Sequence, residues 1–270
     1  MTKPLPRVND LHDFRESYLL KHAVIVTGFA RSIPAARWGI PYLTEVLSSQ
    51  RPTVRLRDGR YALMKMGDFF RYLENTEPLT SKVGPPYLTD FYLKPSFGDP
   101  ERDRLGSQVR FPLLGDDEWP EWRERHVGWN TLYAGPAGTR TPLHQDPFAT
   151  TSWLAQISGT KAWRICEPSA LTLEIAGALE PFSDAPMPCE FFDAVLEPGD
   201  VMYTPPGWWH AVENETTSIA VTGNFVTVEE GRASLARVQS LHDCSDRDVW
   251  RKTWTAALAE VDRDRTASAA

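Results

Sequence analysis

The sequence predicts a mainly β fold with flanking helices. From residue 85 onward, short β-branched and aromatic runs follow one another, separated at close spacing by Gly and Pro, which is typical of a β-sandwich or barrel. Outside this part, apolar residues recur at helical spacing. We therefore expect three parts: a helical or mixed region at 1–84 that packs on the core, a β core at 85–228, and a helical tail at 229–270.

Each part contains elements that its apolar pattern and turn residues predict. In the first part we expect a helix over 10–21, a buried strand over 23–27, a helix over 41–49, a hairpin that pairs 53–57 with 61–66 around Asp58-Gly59, and a helix that begins at Asp68. In the core we expect strands over 87–93, 129–134, 152–157, 162–166, 193–196, 201–204 and 218–227.

Composition and charge limit the classes of function. The 270 residues are 41% hydrophobic and 24% charged, which is enough to bury a core without disulfides. A net charge of −7 disfavours general nucleic-acid binding, which needs a basic surface. The three cysteines, Cys166, Cys189 and Cys244, match no metal-binding spacing and indicate reduced thiols. With no apolar run near the ~18 residues of a membrane span, and no signal-peptide pattern, we expect a cytoplasmic protein without membrane partners.

Two histidines and one aspartate form a candidate metal site. His144 and Asp146 are two residues apart, so both side chains would project from one face of a strand, and His210 follows 66 residues later at the start of another strand. Two imidazoles and one carboxylate leave three positions open, the arrangement of non-haem iron(II) oxygenases. A His-x-Asp pair is common by chance, so the surrounding sequence decides how strongly it indicates a metal site.

Both ligand segments lie in longer, more specific strings. His210 ends the string 196–210, in which a strand, a Pro-Gly-Asp turn, a second strand and a Pro-Pro-Gly turn precede Trp208-Trp209-His210. With the string 138–147 around His144, it resembles the JmjC hydroxylase family, and the resemblance extends over about 11–225. The resemblance implies a double-stranded β-helix (cupin-like jelly roll). It also implies Fe(II), 2-oxoglutarate and O2, with hydroxylation of a substrate and release of succinate and CO2.

A dicarboxylic cosubstrate requires a buried cation, and Lys161, after a tight turn at the start of a strand, is the candidate. In the resembled family a Lys at this place binds the 5-carboxylate, and positions 211–231 contain no Arg or Lys that could replace it. The resemblance also implies that hydroxyls of Thr141 and Tyr87 bind this carboxylate. Thr222 and Asn224, on the strand after His210, would border the cosubstrate or orient the metal ligands.

One position departs from the resembled family. Several of its members carry Asn seven residues before the Lys, near iron and cosubstrate, where this chain has Leu154. An aliphatic side chain cannot make the hydrogen bonds of an amide. The substrate of a relative therefore cannot be assigned directly to this chain.

Several alternatives stay open for activity and assembly. The chain could be a JmjC N-methyl-lysine demethylase, a non-catalytic cupin-fold binding protein, or a cupin dioxygenase or isomerase that uses no cosubstrate. The substrate could be a protein or peptide side chain, a free amino acid or another small molecule. Near the C-terminus, an apolar stripe predicts either a two-fold homodimer or packing within the chain; its residues are Trp250, Trp254, Leu258 and Val261.

Overall fold

The computed structural model describes residues 2–75, 85–93, 99–109, 113, 130–147 and 150–225, together with positions 252, 255, 259 and 263. The last four positions are helical and exposed. The C-terminal apolar stripe and Cys244 lie outside the described residues, so the predicted dimer stays a prediction.

Two β-sheets form the centre of the molecule, with strands numbered β1 to β14 along the chain. The five-stranded sheet has the order β1 (Thr2–Pro4), β11 (Phe191–Leu196), β10 (Lys161–Cys166), β13 (Trp209–Asn214) and β8 (Arg140–His144). The seven-stranded sheet has the order β2 (Arg7–Val8), β3 (Val24–Val26), β12 (Val201–Thr204), β9 (Thr151–Ser158), β14 (Ser218–Phe225), β7 (Thr131–Gly135) and β6 (Leu88–Tyr92). Within the described residues β1 pairs with β11 and β2 with β3 in parallel, and the other pairs are antiparallel.

The remaining described elements are a small hairpin and short helices. The hairpin pairs β4 (Thr53–Arg55) with β5 (Tyr61–Leu63) around Gly59, whose φ of 81° suits a glycine in the turn. The α-helices are α1 (Leu11–Ser17), α2 (Ile40–Leu47), α3 (Met66–Asn75), α4 (Pro100–Gly106) and α5 (Leu173–Gly177), and the 3₁₀ helices are Phe29–Ser32, Pro34–Arg37 and Pro168–Ala170.

The seven-stranded sheet is apolar on both faces. Trp153 and Ala155 of β9 pack with the N-terminal helices, including Phe14, in the larger apolar cluster. Leu154, between them, points the other way because side chains alternate along a strand, and it packs on Trp163 of the five-stranded sheet. The two sheets therefore enclose an interior. The N-terminal helices cover the outer face of the larger sheet, and α5 packs on the outer face of the smaller one through Ala176.

The mainly β fold with flanking helices is as predicted, and the strand expected over 201–204 has the same bounds in the structure. The helix expected over 10–21 is shorter and ends at Ser17. Leu20 adopts a left-handed φ of 61°, which ends helical hydrogen bonding, and its N–H donates to the hydroxyl of Tyr203 at 2.9 Å. The helix expected from Asp68 begins two residues earlier, at Met66.

Among the described strands and α-helices, four were not predicted: β1, β2, α4 and α5; the three 3₁₀ helices were not predicted either. Strands of three and two residues carry no detectable alternation, and β1 and β2 form because they pair with β11 and β3. Strands from before residue 85 thus extend both sheets, while the division at residue 85 stays a prediction. Within the described residues no helix is both long and apolar enough to cross a membrane.

Candidate metal centre and anion pocket

The two candidate histidine ligands face each other across neighbouring strands. His144 ends β8, and its register partner on β13 is His210, so the ring centroids lie 4.1 Å apart. Asp146 lies two residues beyond the end of β8, so the prediction that it shares a strand with His144 is wrong. Its carboxylate nevertheless turns back: one ligand atom from each of the three residues lies within 4.8 Å of the others.

Turns on both sides hold these ligands. Gly207, in the Pro-Pro-Gly turn before His210, has a φ of 75°, which favours glycine. Its carbonyl accepts a 2.6 Å hydrogen bond from Nε2 of Gln145, the residue between His144 and Asp146. The segment that carries the first two ligands is therefore tied to the turn that delivers the third.

Backbone contacts select the ring nitrogen that each histidine presents. Nδ1 of His144 lies 2.8 Å from the carbonyl oxygen of Pro142, and Nδ1 of His210 lies 3.1 Å from that of Trp208. A carbonyl can only accept, so Nδ1 carries the proton in both rings. Nε2 is then the nitrogen that each ring has left for a metal ion.

The charges within the triad also suit a cation. Burial and the neighbouring His144 lower the pKa of His210 to about 4, so its imidazole is neutral at neutral pH. Oδ2 of Asp146 lies 3.8 Å from Nε2 of His210 and accepts a 2.6 Å hydrogen bond from the hydroxyl of Ser152. Two imidazoles, of which that of His210 is neutral, and one oriented carboxylate thus converge, which is the donor set of a non-haem iron(II) centre.

A β-bulge in β8 places Thr141 and His144 on the same face. His210 is opposite His144 and Val212 is opposite Thr141, so three steps along β8 match two along β13. Residues three apart in a regular strand point to opposite faces, and the extra residue reverses that parity. Pro142 lies within the bulge, where its missing N–H costs no ladder hydrogen bond.

Lys161 lies in the interior, on the strand next to the one that carries His210. Its side chain is fully buried. Its ammonium donates to the hydroxyl of Tyr87, 3.2 Å away, and to Oδ1 of Asn214. The amide nitrogen of Asn214 donates in turn to the hydroxyl of Thr139 at 2.7 Å. Thr141 lies close enough to the Tyr87 hydroxyl to act against the rise of its pKa. The structure therefore brings together three predicted residues, Lys161, Tyr87 and Thr141.

The polar residues around Lys161 suit a bound anion, because the positive charge of this lysine has no negative partner in the described part of the chain. Within the described residues no carboxylate pairs with Lys161, and burial lowers its pKa to about 7. Burial likewise raises the pKa of the Tyr87 hydroxyl, so this group remains a neutral donor. A carboxylate placed among these groups would supply the missing negative charge and accept several hydrogen bonds.

The other two predicted cosubstrate residues lie elsewhere on the inner surface. The hydroxyl of Thr222 donates to the carbonyl of Trp153 at 2.5 Å, and the amide of Asn224 donates to the hydroxyl of Thr150 at 2.9 Å. Asn224 is the register partner of Ser152, which binds Asp146. Asn224 therefore lies near the metal end of the interior, while no described contact joins Thr222 to Lys161.

Apolar side chains lie between the metal triad and the polar residues around Lys161. Leu154 lies between Met202 and Thr222 in register and packs with Trp163 and Val212. The ring of Trp163 stacks on His210 with centroids 5.7 Å apart, and its indole N–H is buried without an acceptor in the described part of the chain. These side chains exclude water and leave one donor open beside the triad.

Sequence reasoning missed Asn214, Thr139, Ser152 and Trp163. One signal was available: Asn214 and Trp163 follow His210 and Lys161 by even numbers of strand residues, so each shares an inner face with a predicted residue. Ser152 had no such signal, because its partner Asp146 lies outside any strand.

Comparisons with known proteins agree with this geometry. Residues 120–231 match the model of the JmjC domain. This match and the mainly β fold confirm the predicted JmjC domain and the predicted double-stranded β-helix class.

The similar curated proteins are named as JmjC-type oxygenases and demethylases. Lysine-specific demethylase JMJ21 of Arabidopsis thaliana is 26% identical over 241 residues, which cover 81% of this chain and 25% of that protein. The 2-oxoglutarate and iron-dependent oxygenase JMJD4 of Danio rerio is 26% identical, covering 61% and 42%. The bifunctional arginine demethylase and lysyl-hydroxylase psr-1 of Caenorhabditis elegans is 25% identical, covering 76% and 56%. The chain thus spans about a quarter to just over half of these relatives.

Proposed function

We propose that this chain is an Fe(II)- and 2-oxoglutarate-dependent oxygenase. It would hydroxylate a protein or peptide side chain, or a small amino-acid-like substrate, and release succinate and CO2. One observation carries the proposal: a triad of two imidazoles and a carboxylate shares an interior with a buried lysine that has no counter-anion in the described residues. The name of the JMJD4 relative, which includes 2-oxoglutarate and iron, supports it.

Each group has a defined task in this proposal. His144, Asp146 and His210 would hold Fe(II), which would supply the activation of O2 for oxidative decarboxylation of 2-oxoglutarate. Lys161, Tyr87, Thr141 and Asn214 hold the 5-carboxylate, because together they offer one cation and neutral donors. Ser152 orients Asp146, and the Nδ1 contacts fix both imidazoles. Leu154 and Trp163 keep water from the space between.

Demethylation is the second candidate, because relatives are named as lysine- or arginine-specific demethylases. It uses the same hydroxylation, on an N-methyl group, followed by loss of formaldehyde. A non-catalytic cupin-fold protein, or a cupin enzyme without cosubstrate, would have no use for an uncompensated buried lysine, which costs stability.

The test measures products. Purified protein with Fe(II), ascorbate and 2-oxoglutarate should form succinate, and a cell lysate should show a +16 mass shift on a substrate that the Asp146→Ala variant leaves unmodified. Formaldehyde release, without a stable +16 product, would instead identify a demethylase. Absence of succinate with and without lysate would contradict both.

The setting of this reaction is also proposed. Cys166 and Cys189 are free thiols, which supports the reduced cytoplasmic setting expected from the sequence. Protein or peptide substrates are supported by the lysine- and arginine-directed names of the relatives. The net charge of −7 supports the expectation of no general nucleic-acid binding.

A further inference from the structure

A cleft of about 570 Å³ runs along the open edge of β8 and is separate from the triad. The six consecutive residues 137–142 all line it. Residues 140–142 belong to β8, and because neighbouring side chains of a strand point to opposite faces, a space that touches all three lies beside the strand's edge. In the described part of the chain, β8 has a partner strand only on its other side, where β13 pairs with it. The free edge of β8 is therefore the floor of this cleft.

The two walls of the cleft come from distant parts of the chain. The hairpin of β4 and β5 contributes Arg55 and Arg57, and the segment 179–182 that follows α5 faces it. Tyr87 and Thr141 line the inner side of the cleft. There the hydroxyl of Tyr87 accepts a hydrogen bond from Lys161, and Thr141 lies beside Tyr87. The cleft thus opens from the surface toward the proposed cosubstrate pocket.

The charges in the cleft favour an anionic occupant. Three arginines and two glutamates line it, although the whole chain carries −7. Arg140 is compensated by Glu213 through a 2.8 Å ion pair. Arg55 and Arg57 pair with no carboxylate among the described residues. Their guanidinium groups therefore remain available for acidic groups of a ligand.

The cleft can hold a short segment of chain, and its position beside a strand edge suits an extended one. Its volume is in the range of pockets that enclose ligands of several hundred daltons. The lining ends at Pro142, two residues before His144, which corresponds to about 7 Å of strand. A segment that lies extended along β8 therefore brings a neighbouring residue to the triad.

We propose that this cleft binds an extended peptide segment of the substrate that carries an acidic side chain, which Arg55 and Arg57 bind. The residue to be oxidised lies a few positions along the same segment, at the triad. This inference rests on the proposed function for the identity of the bound segment as substrate. The proposal requires acidic residues near the oxidised residue of the substrate, since Arg55 and Arg57 would repel a basic segment.

The test measures binding without turnover. The probe is a short fluorescein-labelled peptide of alternating glutamate and serine, with a lysine–serine peptide of equal length as its counterpart, followed by fluorescence anisotropy. Wild-type protein should prefer the glutamate peptide by about tenfold or more in Kd. Arg57→Glu should remove this preference. The matched control is Arg60→Glu, which reverses one charge on the same hairpin at a residue that pairs with Asp58 outside the cleft.

Each outcome decides the proposal. Loss of preference in Arg57→Glu with retention in Arg60→Glu supports it. Equal effects of both variants, or no preference in the wild type, overturn it, because the attraction would then be general or absent. Arg57 is exposed, so its variant tests the cleft even if Arg55→Glu disturbs the bridge between Arg55 and Tyr87. Because the assay needs neither iron nor 2-oxoglutarate, a wild type that binds the peptide but forms no succinate refutes the proposed function and leaves the cleft standing.

Discussion

The hydroxyl of Ser152 donates a 2.6 Å hydrogen bond to Oδ2 of Asp146. Asp146 follows the end of β8 and has no strand to orient it, so this bond supplies the constraint that the backbone does not. Ser152 belongs to β9 of the opposite sheet. The contact therefore ties the anionic ligand across the interior to a strand that carries none of the other candidate ligands.

We expect Ser152→Ala to weaken metal binding by about 10- to 100-fold, the usual effect of removing a partner that orients a ligand. The fold should be unaffected, since one hydrogen bond of this kind contributes about 1–3 kcal/mol. Titration with Mn(II) under argon, followed by calorimetry, gives the affinity. Ser183→Ala, at an exposed loop serine, is the control. An unchanged affinity in Ser152→Ala would show that Asp146 is oriented without this bond.

Asp146→Ala should abolish succinate formation and weaken metal binding further than Ser152→Ala does. The substitution removes the anionic member of the triad and leaves two imidazoles, which hold a divalent cation poorly in competition with water. Succinate from 2-oxoglutarate and the Mn(II) affinity are the two measurements. Full succinate formation by this variant would rule out the proposed triad.

The triad and Lys161 could be predicted because each lies in a local string whose turns and strands are recognisable in one stretch of sequence. Asn214 could not, because its role depends on register: the pairing of β10 with β13 places it opposite Lys161, and no local pattern sets that pairing. The same pairing places Ile165 opposite His210 and thus sets how far the polar group lies from the metal end.

The local sequence also could not predict to which face of the sheet each side chain of β8 points. In a regular strand Thr141 and His144 would point to opposite faces, and the bulge at Pro142 brings both inward. A proline inside a strand indicates an edge or a bulge, yet only the observed register shows that β8 has both. Asp146 was assigned to the strand by the same parity rule, and there the rule failed because the strand ends at His144.

Lys161→Met should stabilise the folded protein and weaken cosubstrate binding. Burial lowers the pKa of Lys161 to about 7, from an ordinary value of 10.5, so the unfolded chain binds more protons between these two pH values. The wild type therefore gains stability as pH rises through this window, and its deficit relative to Met is largest at pH 7 and below. At pH 7 we expect a gain on the order of a few kcal/mol in the free energy of unfolding.

The same variant should raise the KM for 2-oxoglutarate strongly. The lost charge-assisted contact is worth about 1.5–3 kcal/mol, or roughly 10- to 150-fold. Urea unfolding and steady-state kinetics measure the two effects separately. A KM within about threefold of wild type would place the 5-carboxylate elsewhere, and a loss of stability would show that Lys161 is compensated in the folded state.

Assembly is predicted from the sequence of the C-terminal tail, which lies outside the described residues. The stripe that contains Trp254 must be buried against the N-terminal helices or against a second copy, and we expect a two-fold dimer. Light scattering should give a dimer for the wild type and a folded monomer for Trp254→Arg. A wild-type monomer at micromolar concentration would contradict the prediction.

The affinity for 2-oxoglutarate should depend on pH through Lys161. In the free protein this lysine is half protonated near pH 7. A bound carboxylate favours the protonated form and raises its pKa, so above pH 7 binding must take up a proton. We expect Kd to be nearly constant below pH 7 and to increase by up to about tenfold per pH unit above it.

Calorimetry of the Mn(II)-loaded protein in buffers of different ionisation enthalpy measures both Kd and the number of protons taken up. Lys161→Met serves as the control, since it should show weak binding with little pH dependence over the same range. A wild-type Kd that stays constant from about pH 7 to about pH 9 would mean that Lys161 is fully charged before the cosubstrate arrives. Its positive charge would then need a carboxylate partner, which the described residues do not supply.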